Sequence, residues 1–106
     1  MGVIADTPDP PYYAVVFTSI RTDGDNGYAA MAARMEQLAA LQPGFLGIES
    51  ARQEIGITVS YWADLESIGN WKADMEHRRA QELGREQWYS SFSVRIARVE
   101  RDYGVR

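Results

Sequence analysis

The period of apolar and polar positions changes several times along this chain, and each change marks an element. From Tyr12 to Ile20 the run Tyr-Tyr-Ala-Val-Val-Phe-Thr-Ser-Ile is rich in aromatic and β-branched residues, which predicts a strand. Arg21 to Gly27 (Arg-Thr-Asp-Gly-Asp-Asn-Gly) is dense in turn formers. Tyr28, Met31, Ala32, Met35, Leu38 and Ala39 then recur at spacings of three and four, the signature of an amphipathic helix, and Pro43-Gly44 stops it. Phe45–Arg52 reads as a second strand and Ile57–Trp62 as a third, with Gly56 in a short connection that favours an antiparallel hairpin. Asp64 is an N-cap candidate, and Glu66 stands in the first turn where the helix dipole favours acid. Leu65, Ile68, Trp71 and Met75 continue a helical stripe, and Gly84 closes the helical region. Finally, Trp88 to Glu100 reads as a long strand, with Phe92, Val94 and Ile96 alternating against Ser91, Ser93 and Arg95.

Strand, helix, strand, strand, helix, strand is the ferredoxin-like β-α-β-β-α-β order of an α+β sandwich. Its two helices can cover only one face of a four-stranded sheet. The first strand is nevertheless apolar on both faces, with Tyr13, Val15 and Phe17 on one and Tyr12, Ala14 and Val16 on the other. The third strand likewise carries Tyr61 and Trp62 on opposite sides. A sheet with two apolar faces needs a second cover, and the simplest is the same sheet from a second copy, so a homodimer is expected.

At 106 residues, 45% hydrophobic and 11% aromatic, the chain is sized for one domain with a packed core. Residues 1–11, with Pro8, Pro10 and Pro11, read as an extended N-terminal arm, and 12–106 as the domain. No stretch reaches the roughly 20 apolar residues of a membrane helix. The start lacks the basic region of a secretory signal, and Asp6 stands where a myristoylation motif has Ser or Thr, so a cytoplasmic location is expected. A net charge of -4 argues against nucleic acid as a partner.

Chemistry is narrowed first by what is missing. There is no cysteine, and a single histidine, His77, cannot build a multi-histidine metal cluster. No glycine-rich phosphate loop, nucleophile elbow or carboxylate cluster of metal-ligating spacing occurs. What remains is His77, three Trp, six Tyr and several arginines. At about 100° per residue, a continuous helix from Asp64 sets His77 nearly opposite the apolar stripe, as a surface histidine. A break near Met75-Glu76 would instead put His77, Ala80, Gln81 and Gly84 on one face, looking into a cavity, with His77 as acid/base or ligand. Trp71 falls on the stripe, as core or as a functional ring. Trp62 ends a strand, where an aromatic can line the mouth of a pocket. Trp88 and Tyr89 beside Arg85 suit either a planar anionic or phenolic ligand or a dimer interface.

The run Gln42-Pro43-Gly44-Phe45-Leu46-Gly47-Ile48-Glu49-Ser50 resembles the turn and strand of the antibiotic biosynthesis monooxygenase (ABM) superfamily. Ile57-Thr58-Val59-Ser60-Tyr61-Trp62, Leu65-Glu66-Ser67-Ile68 and Trp71 are similar to it too, as are His77, Ala80-Gln81, Gly84-Arg85, Trp88-Tyr89 and Glu100. The resemblance spans about residues 12–103 and implies a dimeric α/β barrel. It further implies a cofactor-independent monooxygenase that oxidises a small aromatic or quinol-type substrate with molecular oxygen. In that scheme Trp71 matches the family's helix tryptophan, His77 is the candidate base and Arg85 the candidate partner of the substrate anion. Tyr13, Phe17, Trp62, Gln81 and Trp88 are candidate substrate-binding residues, and no metal or other cofactor is expected. A dimer that binds or protects a small hydrophobic molecule without turnover is the first alternative, and a heme-binding or heme-degrading relative with His77 as axial ligand is a lesser one. Heme-degrading relatives share the tryptophan, but pair it with an asparagine on the first strand and a later histidine. Here those places hold Thr18 or Ser19, and Gln81.

Overall fold

The computed structural model describes residues 3–25 and 27–76, the backbone of 77–81, and residues 88–105. Its elements are β1 (Tyr12–Arg21), α1 (Tyr28–Ala40), β2 (Phe45–Arg52), β3 (Gly56–Trp62), α2 (Leu65–Gln81) and β4 (Tyr89–Val99). They form one antiparallel sheet in the order β2-β3-β1-β4, which is the ferredoxin-like arrangement.

Register assigns every strand residue to a face, because directly opposed residues point the same way. Tyr13 opposes Trp62 and Arg98, Val15 opposes Ser60 and Ile96, and Phe17 opposes Thr58 and Val94. This set lies on the helix side, since Tyr13, Val15, Phe45 and Trp71 pack on the buried cluster of Ala39, Trp62 and Ile68. Tyr12, Ala14, Val16, Ile20, Ile57, Val59 and Tyr61 therefore lie on the opposite face.

In α1 the buried and half-buried positions are those of the predicted stripe. Asp25 caps this helix from outside it, accepting the N–H of Gly27 at 2.9 Å and of Ala29 at 3.2 Å. Asp64 caps α2 as expected, accepting the Ser67 N–H at 2.7 Å, and that bond, with one from the Ser67 hydroxyl, holds its carboxyl below the usual range. The α2 stripe differs in its first turn. Leu65 is 55% exposed, while Ser67 is buried beneath Gly44. The incoming Pro43-Gly44 turn docks there, with the Gly44 carbonyl accepting the Ala63 N–H at 2.8 Å, and selects a small side chain over a leucine.

The face away from the helices gains part of its cover from the chain itself. The Ala5 N–H donates to Glu49 Oε2 at 2.9 Å, and the Tyr61 hydroxyl donates to Glu49 Oε1 at 2.6 Å. Nearby, the Tyr12 hydroxyl donates to Asp102 Oδ2 at 2.6 Å, and Thr7 Oγ1 lies 2.8 Å from the same carboxylate oxygen. Tyr12 and Ala14 are buried as a result. Residues 3–11 thus form no helix or strand, yet they are fastened at two carboxylates, Glu49 on β2 and Asp102 beyond the end of β4.

Burial, then the bond to Glu49, pushes the Tyr61 phenol up from its ordinary value near 10, and burial followed by a bond to Tyr28 does the same to Tyr89. The folded chain then holds protons that the unfolded chain releases, so stability is intact below about pH 10 and falls as pH rises further. Urea midpoints measured across that range are expected to drop more steeply in wild type than in Tyr61→Phe. Parallel slopes would mean that Tyr61 ionises as freely in the fold as in water.

Candidate functional site

The helix side of the sheet divides into two ends. At one, Trp62 is sealed: its relative exposure is 0%, its indole N–H donates to Ser60 Oγ at 2.9 Å, and Phe45 meets it edge-on at 5.4 Å. This corrects the expectation that Trp62 stands at a pocket mouth. Being opposed to Tyr13 in the middle of the sheet and roofed by Ile68 and Ala39, the ring has no surface left for a ligand. Trp71 stacks on it at 6.3 Å and 24° and remains half-buried, so one tryptophan of this pair is accessible and the other is core.

Between the ends, β4 presents a row of apolar side chains that stay about half exposed. Phe92, Val94 and Ile96 are 52%, 50% and 51% exposed, on the same side as Tyr13, Val15 and Phe17. Tyr13 and Phe17, both expected at a substrate site, are half-buried here.

The other end is aromatic and cationic. Phe17 meets Tyr89 at 5.2 Å and Phe92 at 5.6 Å, and Tyr28 lies 5.7 Å from Tyr89 and 6.2 Å from Trp88. The Arg21 guanidinium stacks on the Tyr28 ring at 3.6 Å, and its Nε donates to the Trp88 carbonyl at 3.0 Å. Arg52 reaches across from β2 to bond both the carbonyl and the hydroxyl of Ser19. Tyr28, Ser50, Ala51, Arg52, Gly56 and Thr58 enclose a half-open cavity of about 290 Å³. The raised Tyr89 phenol keeps its proton near neutrality and is a donor rather than a base.

Of the expected site residues, Tyr13, Phe17 and Trp71 share the helix side of the sheet with this cluster. Trp88 is there too but buried, in the turn that enters β4, rather than set out as an open wall. Arg85, and the side chains of His77 and Gln81, lie outside the described residues. The backbone of α2 runs as one helix through His77 to Gln81, without a break at Met75-Glu76. Tyr28, Arg21, Arg52 and Phe92 were not singled out from the sequence. Tyr28 reads there as the first residue of a stripe and Arg21 as turn. Only the ladder, which carries β1 one residue further and sets Arg21 against Tyr89, brings them together.

No family model matches the chain. A relative, the uncharacterized protein YqjZ of Bacillus subtilis (strain 168), is 50% identical over 103 residues, covering 95% of this chain and 90% of its own. Among solved structures, SnoaB, a cofactor-independent oxygenase from Streptomyces nogalater, superposes with a TM-score of 0.67 at 14% identity, over 88% of this chain and 97% of that one. A Chloroflexus aurantiacus J-10-fl protein assigned to antibiotic biosynthesis monooxygenases gives a TM-score of 0.64 at 17% identity, over 90% and 99%. These structural likenesses concern the fold, and they agree with the one expected from the sequence.

Proposed function

The chain belongs to the family of Bacillus subtilis YqjZ and has the ferredoxin-like fold of the antibiotic biosynthesis monooxygenases, and from that premise we propose that it is a cofactor-independent monooxygenase acting on a small aromatic or quinol-type substrate. The observation that carries this reading is the half-exposed row of Phe92, Val94 and Ile96 beside Phe17 on the helix side. A soluble domain rarely leaves such a row open without a use for it. A planar aromatic laid there is desolvated on one face, with the Tyr28 and Tyr89 phenols at one end and Trp71 on the helix side of the same sheet.

In this reading the substrate phenol gives up its proton, and the phenolate passes one electron to oxygen. The resulting radical and superoxide join at the ring carbon as a peroxide. That peroxide collapses to a carbonyl and releases one oxygen atom as water, so one phenol and one O₂ yield one quinone and one water. The protein need only bind the ring, accept a proton and hold the anion. His77 is proposed as the proton acceptor, Arg85 as the partner of the anion, and Trp71, Tyr13, Phe17 and Gln81 as the surroundings of the ring. The same reading has two copies meeting through the face opposite the helices, where Ile20 and Ile57 are exposed.

Oxygen uptake with a panel of naphthols and hydroquinones tests it, on a sample expected to sediment as a dimer. Turnover is expected with at least one compound, and His77→Gln should lower kcat/KM by roughly 10²- to 10⁴-fold. Binding of the panel without oxygen uptake would instead favour a dimer that sequesters an aromatic molecule, and a monomer at micromolar concentration would remove the pairing.

A further inference from the structure

We propose that the cavity between α1 and the β2–β3 end of the sheet is an anion subsite, which takes the carboxylate of a small planar aromatic acid. Arg52 is held there by Ser19, whose carbonyl and hydroxyl engage two of the five guanidinium N–H donors. The other three meet no acceptor among the described residues, and the ion pairs found among those residues, Lys72–Glu76 and Arg98–Glu100, lie elsewhere. Arg21 adds a second cation beside the Tyr28 ring, with its N–H groups spent on the carbonyls of Trp88, Gly24 and Asp25 rather than on a carboxylate. The nearby Asp25 carboxylate is committed to the first turn of α1. In a chain of net charge -4, this end sets two guanidinium groups about one tyrosine ring, and among the described residues neither forms an ion pair.

The lining fits the ligand class. Ser50 and Thr58 supply hydroxyls, Tyr28 supplies an aromatic wall, and about 290 Å³ is fragment-sized. A guanidinium fork pairs best with a planar carboxylate, through two parallel N–H···O bonds. Gly56 completes the arrangement, because a Cβ there would overlap the Arg52 guanidinium. The side chain keeps its position only while this residue lacks one. Binding here is independent of oxygen chemistry, so it stands or falls separately from the monooxygenase reading.

Calorimetric titration of the full chain with benzoate, benzamide and inorganic phosphate tests the assignment. Benzoate is expected to bind saturably, and benzamide, which has the same shape but no charge, at least about 10-fold more weakly. Arg52→Met should weaken benzoate roughly 10- to 100-fold, whereas Arg98→Met should leave it unchanged. Gly56→Ala retains the charge but displaces it, so it should weaken benzoate too, and it serves as the second variant if Arg52→Met fails to fold. Absence of saturable benzoate binding, or equal affinity in Arg52→Met, would overturn the subsite. Phosphate binding more tightly than benzoate would overturn the planar-carboxylate assignment.

Discussion

Trp62→Ala is expected to cost about 3–5 kcal/mol of folding stability, a large share of what a domain of this size holds. Trp62 has no solvent-exposed surface, and three elements meet on it. Phe45 from the start of β2 contacts one edge, Trp71 from α2 stacks on it, and Ile68 and Ala39 close the remaining sides. Alanine would leave a void that a sheet and two helices cannot collapse into without breaking their register. Urea denaturation followed by circular dichroism measures the loss, and a change below about 1 kcal/mol would mean that the ring is not the centre of the core. Trp62→Phe, if it folds, separates structure from function: because the native ring offers no surface to a ligand, affinity for aromatic compounds should survive.

The second large effect is expected at Gly44. Its φ of +86° lies in the left-handed region, which costs a side-chain-bearing residue about 1–2 kcal/mol. A Cβ there would also overlap the hydroxyl and Cβ of Ser67, in a place where the turn and the α2 N-terminus are pressed together. Overpacking of this kind adds about 1–3 kcal/mol, so Gly44→Ala should lose about 2–5 kcal/mol in all. The two parts separate in a double-variant cycle. Ser67→Gly removes the overlap but leaves the backbone strain, so the cost of Gly44→Ala should shrink in that background to the backbone part alone. An undiminished cost would show that Ser67 is not the obstacle.

Gly44 also illustrates what a sequence reveals. Pro43-Gly44 announces a stop, and the structure has one. But the partner that makes the glycine necessary is Ser67, more than twenty residues away, and Leu65 is the residue whose apolarity invites burial. Period and capping chemistry were sufficient for the element order, for the α1 stripe and for Asp64, because those signals are local. Trp62 reads from the sequence as a pocket wall and is core in the structure, because strand position alone does not say whether a helix roofs it. The cationic aromatic end was not anticipated for a similar reason. Arg21, Arg52, Tyr28 and Phe92 belong to four different elements, and only strand register and helix docking bring them within reach of one another. The chemistry expected at His77, Gln81 and Arg85 falls on side chains outside the described residues.

The N-terminal arm has a consequence for assembly. By donating the Ala5 N–H to Glu49 and lodging Thr7 against Asp102, it acts as a tethered ligand for its own sheet. Its methyl at Ala5 fits only because Gly47 beneath it has no side chain, a Cβ there being 2.9 Å from Ala5 Cβ. A tethered segment competes at an effective concentration that a free molecule must exceed. A second sheet approaching this face therefore meets unoccupied apolar surface at the Ile20–Ile57 end and an incumbent at the Tyr12–Tyr61 end. In the proposed dimer, therefore, either the two-fold axis is offset toward the open end, or association is coupled to release of the arm and weakened by the free energy of its docking.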